Sequence, residues 1–278
     1  MSRCPNPRNP VDVAGVIGHD AQRAPGDRLR RVRVRGRETD RRGDRRVRAR
    51  GVRLSLEEAA ACLAELRRRI RSPAVEYKAN HLLRTKHRRV LEWFLGPLGP
   101  VHGRAHVYLV DKKRLLANEL RALAGPGIRP DDELLAAFND VLRTRNRRDP
   151  AAGSFFAMAG DTAELRAKVA EARDAKALDP LVPAILRAIE YWSAGGEPVF
   201  LVHDEQPSLK GDRLARIESS PGLAGVKFVD SRTDPRVQVA DFLVGVARRI
   251  AEDALNGNGD EILTGLLAPY VDSASLWD

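Results

Sequence analysis

The chain has few of the residues that build disulfide frameworks, zinc sites or membrane spans. Its 278 residues include only two cysteines, Cys4 and Cys62, with no Cys-x-x-Cys pair and no Cys/His cluster. This cysteine usage excludes a disulfide scaffold and argues against zinc. No apolar run approaches the ~20 residues needed to cross a bilayer, and the N-terminus lacks the basic-then-apolar layout of a secretion signal. These absences predict a cytoplasmic protein with no membrane partner.

Lysine is missing from residues 1–51, where arginine is abundant. This segment holds 15 Arg and 6 acids, a balance of +9, whereas the rest of the chain holds 33 basic and 32 acidic residues. A highly charged segment with few large apolar side chains buries too little surface to fold, so we expect a poorly ordered basic arm. Such an arm can also bind nucleic-acid phosphates without reading sequence. The nearly neutral remainder, residues 52–278, is expected to form a single domain.

Local patterns in residues 52–278 predict an α/β layer fold. Ser55-Leu56-Glu57-Glu58 is a capping box that begins a helix of about 15 residues, and Ser72-Pro73 ends it. Two apolar runs, Val199–Val202 and Val226–Val229, have the length and composition of buried strands. A helical insertion is expected at about 112–195. The remaining predicted elements are a helix over 80–94, a strand over 105–110, helices over 112–123, 131–143, 162–175 and 181–193, and a final helix over 235–256.

Carboxylates follow both apolar runs, at the points where functional side chains of α/β proteins commonly lie. Asp204 follows the first run within His203-Asp204-Glu205-Gln206, and Asp230 follows the second. We interpret His203 as a hydrogen-bonded near-core residue and Asp230 as a cap of the turn into the last helix, with metal binding as the alternative for Asp230. Gln238 and Asp241 share one face of the final helix, where a carboxylate among apolar neighbours is costly unless it is paired or binds a metal ion. The alternative for Asp241 is an ion pair with Arg248 or Arg249.

The block formed by Val199–Gln206, Lys227–Arg249, Glu76-Tyr77-Lys78-Ala79 and His106–Lys113 resembles the bacterial family called domain of unknown function 3800. Members of that family are similar in outline to ribonuclease-H-like metal-dependent nucleases, and the resemblance covers roughly residues 52–256. It implies a ribonuclease-H-like mixed sheet flanked by helices. It also implies a site with Mg²⁺ or Mn²⁺ as cofactor and nucleic acid as partner.

Phosphodiester hydrolysis in such a site needs three or four carboxylates around one or two divalent ions. The predicted catalytic acids are Glu76, Asp111, Asp204 and Asp241, and Asp204, Asp241 and Asp111 are the predicted metal ligands. Asp111 is equally well interpreted as a helix cap. The predicted substrate contacts are Lys78, Lys86, Arg88 and Gln238. Lys78 has the alternative of neutralising Glu76, and the basic run from Arg84 to Arg89 has the alternative of a solvated helix face.

The first strand that the resemblance implies, ending in an Asp-Glu-Ser-Gly-like segment, is missing from the sequence. One hypothesis is that residues 1–51 are translated from a shifted frame, since codons for Val47 to Gly51 read one base over can spell Phe-Ala-Leu-Ala-Gly. A metal-dependent nuclease weakened by loss of a first-strand acid is therefore the first functional hypothesis. A non-catalytic module that binds nucleic acid or another partner is the second. A hydrolase of nucleotides or other small phosphorylated substrates is the third.

Overall fold

The computed structural model describes residues 11–15, 51–71, 79–143, 150–175 and 177–277, and of residues 11–15 it describes the backbone. The protein is a mixed α/β fold dominated by helices. Its strands are β1 (Val11–Gly15), β2 (Val199–Asp204) and β3 (Leu223–Val229). Its helices are α1 (Leu56–Ile70), α2 (Ala79–Leu82), α3 (Arg88–Leu95), α4 (Lys112–Ala124), α5 (Asp132–Arg143), α6 (Pro150–Ala159), α7 (Ala163–Asp174), α8 (Leu181–Ser193), α9 (Asp212–Glu218), α10 (Pro235–Leu255) and α11 (Glu261–Leu267).

The three described strands form one parallel sheet with β2 in the centre. β1 pairs with β2 from Val11 opposite Val199 to Gly15 opposite His203, and β3 pairs with the other edge of β2. Parallel strands need both faces covered, which explains why β2 is a nearly continuous apolar run. Residues of β2 alternate between two cores, because Phe200 and Val202 pack with α10 whereas Leu201 packs with α8 and α9.

Side-chain caps fix the starts of several helices. Ser55 and Glu58 form the predicted capping box of α1, with each side chain bonded to the other residue's backbone amide. Asp111 caps α4, Thr162 caps α7 and Asp234 caps α10, which also has proline at its first position. These local signals explain why the observed starts of α1, α4, α7 and α10 agree with the predicted ones to within one residue.

The interior consists of three hydrophobic clusters. The largest joins α1, α3, α10 and the segment 101–109 to one face of β2. The second lies among α4, α5, α6 and α7, within the region predicted as a helical insertion. The third lies between α8, α9 and the opposite face of the sheet. α10 is buried on nearly every side, so it is the central helix of the fold.

Two predicted elements differ in the structure. The helix expected over 80–94 is broken, because Arg84 is extended (φ −72°, ψ 137°) and a 3₁₀ turn over Thr85–His87 precedes α3. The backbone N–H of His87 donates to the carbonyl of Arg84 at 2.8 Å, and this three-residue bond closes the tighter turn. The strand expected over 105–110 is extended and buried, but it forms isolated bridges to Val52, Val271 and Leu276 instead of joining the sheet.

The sheet also differs from the predicted mixed one, since every described strand is parallel. Its strand β1 lies within the segment that was expected to be poorly ordered, and the rest of that expectation falls on residues 1–10 and 16–50, outside the described residues. β1 contains one acid, Asp12, opposite Phe200 in the register. The helices α6, α9 and α11 were not predicted. Within the residues that the structure describes, no helix is both long and apolar enough to cross a membrane.

Candidate functional site at the carboxyl edge of the sheet

Asp204 ends the central strand and is anchored to the loop that follows β3. One carboxylate oxygen, Oδ1, accepts a hydrogen bond from the backbone N–H of Ser231 at 3.1 Å. The side chain is half-buried, and its position in β2 alternates with Phe200 and Val202, on the face that packs against α10. Asp204 therefore lies where the central strand, the 230–234 loop and the start of α10 converge.

Gln238 and Asp241 lie on the least buried stripe of α10. Gln238 Nε2 donates to the backbone carbonyl of Arg232 at 3.1 Å, in the same loop that binds Asp204. Asp241 is the next member of that stripe, half-buried between the buried residues Ala240 and Phe242. Asp204 and Gln238 thus bind consecutive residues of one loop, and Asp241 follows one turn along the helix.

The next residue on this stripe, Gly245, is the point where α2 contacts α10. A Cβ atom added to Gly245 would clash with Ala79 Cβ, so glycine is required for this close approach. Ala79 is the first described residue after 72–78. The predicted site residues Glu76 and Lys78 lie in that segment, outside the described residues. Ala79 therefore contacts the same face of α10 that carries Asp241.

Asp111 lies in a different environment. It is 8% exposed, its Oδ1 accepts from the N–H of Lys113 at 2.9 Å, and its own N–H donates to the carbonyl of Leu276. These bonds are those of a helix cap, the alternative interpretation for this residue. Among the described residues, no group of three or more His, Cys, Asp or Glu side chains is arranged to hold a metal ion. Asp111 is therefore not assembled with Asp204 and Asp241 into one three-carboxylate cluster.

The residues flanking Asp204 have the structural roles expected of them. His203 is 1% exposed, and its Nδ1 lies 2.7 Å from the carbonyl oxygen of Asp204, which agrees with a hydrogen-bonded near-core histidine. Asp230 organises the turn into α10 through the N–H of Arg232 and the N–H and hydroxyl of Thr233. Hydrogen bonds from the Arg232 side chain lower the pKa of Asp230 to about 2.

The residues predicted to contact phosphate differ in whether carboxylates already neutralise their charge. Arg88 binds Asp260 through two nitrogens and Glu92 through Nε at 2.7 Å, so its charge is already compensated by two carboxylates. The same contact with Arg88 lowers the pKa of Asp260 to about 2. Lys86 is exposed and has no ion-pair partner among the described residues.

Sequence reasoning did not identify a buried polar network that joins the 105–110 segment, α8 and the C-terminal segment. Asp272 Oδ2 lies 2.6 Å from His106 Nε2 and accepts from Arg187 Nε at 2.8 Å, and Asp272 Oδ1 accepts from the N–H of Ala274. Tyr191 stacks on the His106 ring with centroids 4.0 Å apart. The only available sequence signal was an acid near the end of the chain, because its partners lie 85 and 166 residues away.

No family model matches this chain, and comparison with curated proteins and with solved structures found no significant match to either.

The donors at the carboxyl edge suit a hard divalent ion. Mg²⁺ is usually held by one or two carboxylates, with water and substrate phosphates completing its six oxygen ligands. Asp204 and Asp241 are half-buried carboxylates, and Gln238 carries an amide oxygen. Each is a donor type that Mg²⁺ or Mn²⁺ accepts, unlike the sulfur and imidazole ligands that zinc prefers.

Proposed function

We propose that the protein is a metal-dependent phosphodiesterase of the ribonuclease-H-like type, in which Asp204 and Asp241 are the metal-binding carboxylates. The observation that carries the proposal is the arrangement at the 230–234 loop. Asp204 at the end of the central parallel strand and Gln238 on α10 bind consecutive residues of this loop, and Asp241 lies one turn further on. The resemblance to the family called domain of unknown function 3800 supports the same assignment.

The fold supplies positions and electrostatics for this chemistry. Ser231 N–H restrains the Asp204 carboxylate by donating a hydrogen bond to its Oδ1. The packing of α10 holds Asp241 half-buried next to the buried residues Ala240 and Phe242. A bound divalent ion would activate water and stabilise charge on the phosphate oxygens. Gln238, fixed to the Arg232 carbonyl, is suited to positioning a substrate oxygen.

The family resemblance also implies a metal-binding acid from the first strand of the sheet. Asp12 is the acid that strand β1 contains, and it pairs with Phe200, four residues before Asp204 in the parallel register, so it lies about 13 Å along the strand from the carboxyl edge. Loss of a negative ligand lowers the charge of a divalent site and weakens ion binding. We therefore expect Asp12→Asn to leave Mn²⁺ binding unchanged, and weaker binding in this variant would reject the hypothesis that the site lacks a first-strand acid.

Direct metal binding and cleavage together test the proposal. Mn²⁺ binding to the full chain is measured by calorimetry, and cleavage of nucleic acid is measured over a Mg²⁺ and Mn²⁺ series. We expect Asp204→Asn and Asp241→Asn each to weaken Mn²⁺ binding at least tenfold and to abolish cleavage, with thermal unfolding close to that of the unaltered chain. The matched control is Asp140→Asn, on an exposed face of α5. Metal-dependent cleavage that both site variants retain would reject the assignment.

A non-catalytic nucleic-acid-binding module is the second candidate. It is favoured by the exposed basic residues at the break between α2 and α3, because basic side chains can bind phosphates without a metal ion. Nucleic-acid binding that is equal in EDTA and in Mn²⁺, without any cleavage, would select this candidate.

A further inference from the structure

A cavity of about 930 Å³ lies at the amino end of the parallel strands β2 and β3, the end opposite to Asp204. Pro198 and Gly222, the residues immediately before these strands, line it. Its other walls come from the C-terminal half of α8, the end of α9 and Tyr108 of the 105–110 segment. The volume lies within the range of roughly 300–1,000 Å³ that is usual for small-molecule pockets. Neither Asp204 nor Asp241 lines this cavity, so it is separate from the candidate metal site.

Glycine and proline hold the walls of the cavity in place. Gly222 has a φ of +81°, and a Cβ atom at this position would clash with the Ser193 side chain, so glycine lets the chain turn here and pack against the end of α8. Three prolines with a fixed φ also line the cavity, namely Pro183, Pro198 and Pro221. The cavity is therefore pre-formed, and a ligand would lose little affinity to ordering of the protein.

Most of the lining is apolar. Leu186 is half-buried on α8, Ala194 is exposed at the C-cap of that helix, and the rings of the three prolines complete this surface. Apolar ligand surface gains free energy when it leaves water, and the adjoining polar groups fix how the ligand is oriented. The lining therefore suits a ligand with an aromatic or branched aliphatic body.

Arg187 presents fixed hydrogen-bond donors to the cavity. Its Nε donates to Asp272 at 2.8 Å and its Nη1 pairs with Glu190 at 2.8 Å, which together hold the guanidinium plane. In the part of the chain that the structure describes, no hydrogen bond uses Nη2, which carries further N–H groups. The side chain is 28% exposed and lines the cavity, so these N–H groups are available to a ligand. Because two carboxylates share its charge, Arg187 contributes directed donors more than net charge.

The Tyr108 hydroxyl is a second directed donor in the lining. Tyr108 is half-buried, and its hydroxyl makes no hydrogen bond with any residue that the structure describes. Burial raises the pKa of Tyr108, and the negative charge of Asp272 acts in the same direction, whereas Arg187 opposes it. The hydroxyl therefore keeps its proton at neutral pH and can donate it to a hydrogen bond. These charge effects also place the hydroxyl near the Arg187–Asp272 pair.

Arg216 supplies the net positive charge of the cavity. It is exposed near the end of α9, and no carboxylate among the described residues pairs with it. The two acids of the lining are both paired, Glu190 with Arg187 and Glu197 with Arg53 at 3.5 Å. An anionic group in the cavity would thus gain from Arg216 without displacing an existing ion pair.

We propose that this cavity binds a small organic anion. The apolar body of the ligand packs on Leu186 and the proline rings, and its carboxylate, sulfonate or phosphate monoester group pairs with Arg216. Arg187 Nη2 and the Tyr108 hydroxyl donate to further polar atoms of the ligand. Free inorganic phosphate has no apolar body and lacks the larger share of these contacts. The site requires no metal ion and neither Asp204 nor Asp241, so it stands apart from the proposed phosphodiesterase chemistry.

A matched pair of fluorescent probes tests the chemistry of the cavity. Anilinonaphthalene sulfonate has an aromatic body and one negative charge, and phenylnaphthylamine has the same aromatic body without the sulfonate. Each probe is titrated into the full chain in EDTA, and its own fluorescence gives the Kd. Ala194→Trp fills the cavity, and Arg216→Gln removes the uncompensated charge. The matched controls are Ala122→Trp and Arg121→Gln on α4, where both residues are exposed and Arg121 also lacks an ion-pair partner among the described residues.

The unaltered chain is expected to bind the sulfonate at one saturable site, and more tightly than the neutral probe. Ala194→Trp should weaken the binding of both probes by about tenfold or more, because the indole occupies the space of the apolar body. Arg216→Gln should weaken the sulfonate by about fivefold or more and the neutral probe by less than about twofold, since only the sulfonate pairs with the arginine. Both controls should keep the Kd values of the unaltered chain.

Three results would reject the proposal. Absence of saturable probe binding would show that the cavity takes no such ligand. Binding that Ala194→Trp leaves unchanged would lie elsewhere on the protein. An equal loss of both probes in Arg216→Gln would reject the pairing of the anionic group with this arginine. If Ala194→Trp lowers the Tm, Ala194→Leu fills less of the cavity and provides the same comparison in a folded chain.

Discussion

Replacing Asp272 with asparagine should destabilise the fold, because this carboxylate joins three separate parts of the chain. Its side chain is 1% exposed and binds His106 in the 105–110 segment, Arg187 on α8 and the N–H of Ala274. Burial raises the pKa of Asp272, but hydrogen bonds from Arg187, Ala274 and His106 outweigh it and hold the pKa below its usual value. An asparagine can keep the bond to Ala274 but cannot accept bonds from both other partners.

The size of the destabilisation by Asp272→Asn depends on how deeply the partners of Asp272 stay buried once its charge is removed. Removing one member of a buried charged pair typically costs 3–5 kcal/mol, because the other charge stays desolvated. Here the Arg187 side chain is 28% exposed and also binds Glu190, so part of that cost is relieved. We therefore expect a loss of about 2–3 kcal/mol. For a chain of this size, this corresponds to a fall in Tm of about 4–12 °C.

Thermal unfolding of the full chain measures this change, and tryptophan emission locates it. Trp277 packs against the main core from the C-terminal segment, so local release of that segment would shift its emission to the red. Asp161→Asn is the control, since Asp161 forms an exposed pair with Arg166 and should leave Tm unchanged. The Asp272 effect is fully present above the unfolded carboxyl pKa of about 4 and is lost as pH falls through the lowered native pKa. The difference in stability between the variants should therefore be constant above about pH 5 and shrink as pH falls below about 4. A fall in Tm of less than 2 °C at pH 7 would refute the reasoning.

Three other changes test separate features of the fold. Ser55→Ala removes the capping box of α1 and should lower stability by about 1 kcal/mol, as measured by urea unfolding. Gly245→Val should destabilise by about 1–3 kcal/mol, because its side chain would overlap Ala79, and it should weaken Mn²⁺ binding if the α2 contact supports the site. Burial raises the pKa of Cys62 to about 12, so in a Cys4→Ser background a thiol reagent at pH 8 should modify Cys62 only after denaturation.

The predicted elements that the structure confirms are those with local causes. The capping box at Ser55, the apolar run at the start of β2, and proline after Asp234 each act within a few residues, so sequence alone identified α1, β2 and α10. The turn role of Asp230 was predicted on the same basis. In each case the hydrogen bonds that decide the structure lie inside the segment itself.

The differences occur where a distant partner decides the outcome. The 105–110 segment has the composition of a strand, but its bridges go to Val52 and to the C-terminal residues Val271 and Leu276. The β1 strand has the central strand as its partner, almost two hundred residues further along the chain. Neither pairing leaves a signal in the segment alone, because a strand's composition reports burial and not the identity of its neighbour.

The candidate site divides in the same way. Sequence determined that Asp204 follows a buried strand and that Gln238 and Asp241 share a helix face, since both statements depend only on chain periodicity. Only the tertiary structure decided that Asp204 and Gln238 bind consecutive residues of one loop, that Asp111 caps a helix elsewhere, and that Arg88 is paired with Asp260. Sequence fixes which charges exist, but whether a charge is compensated depends on side chains brought close by the fold.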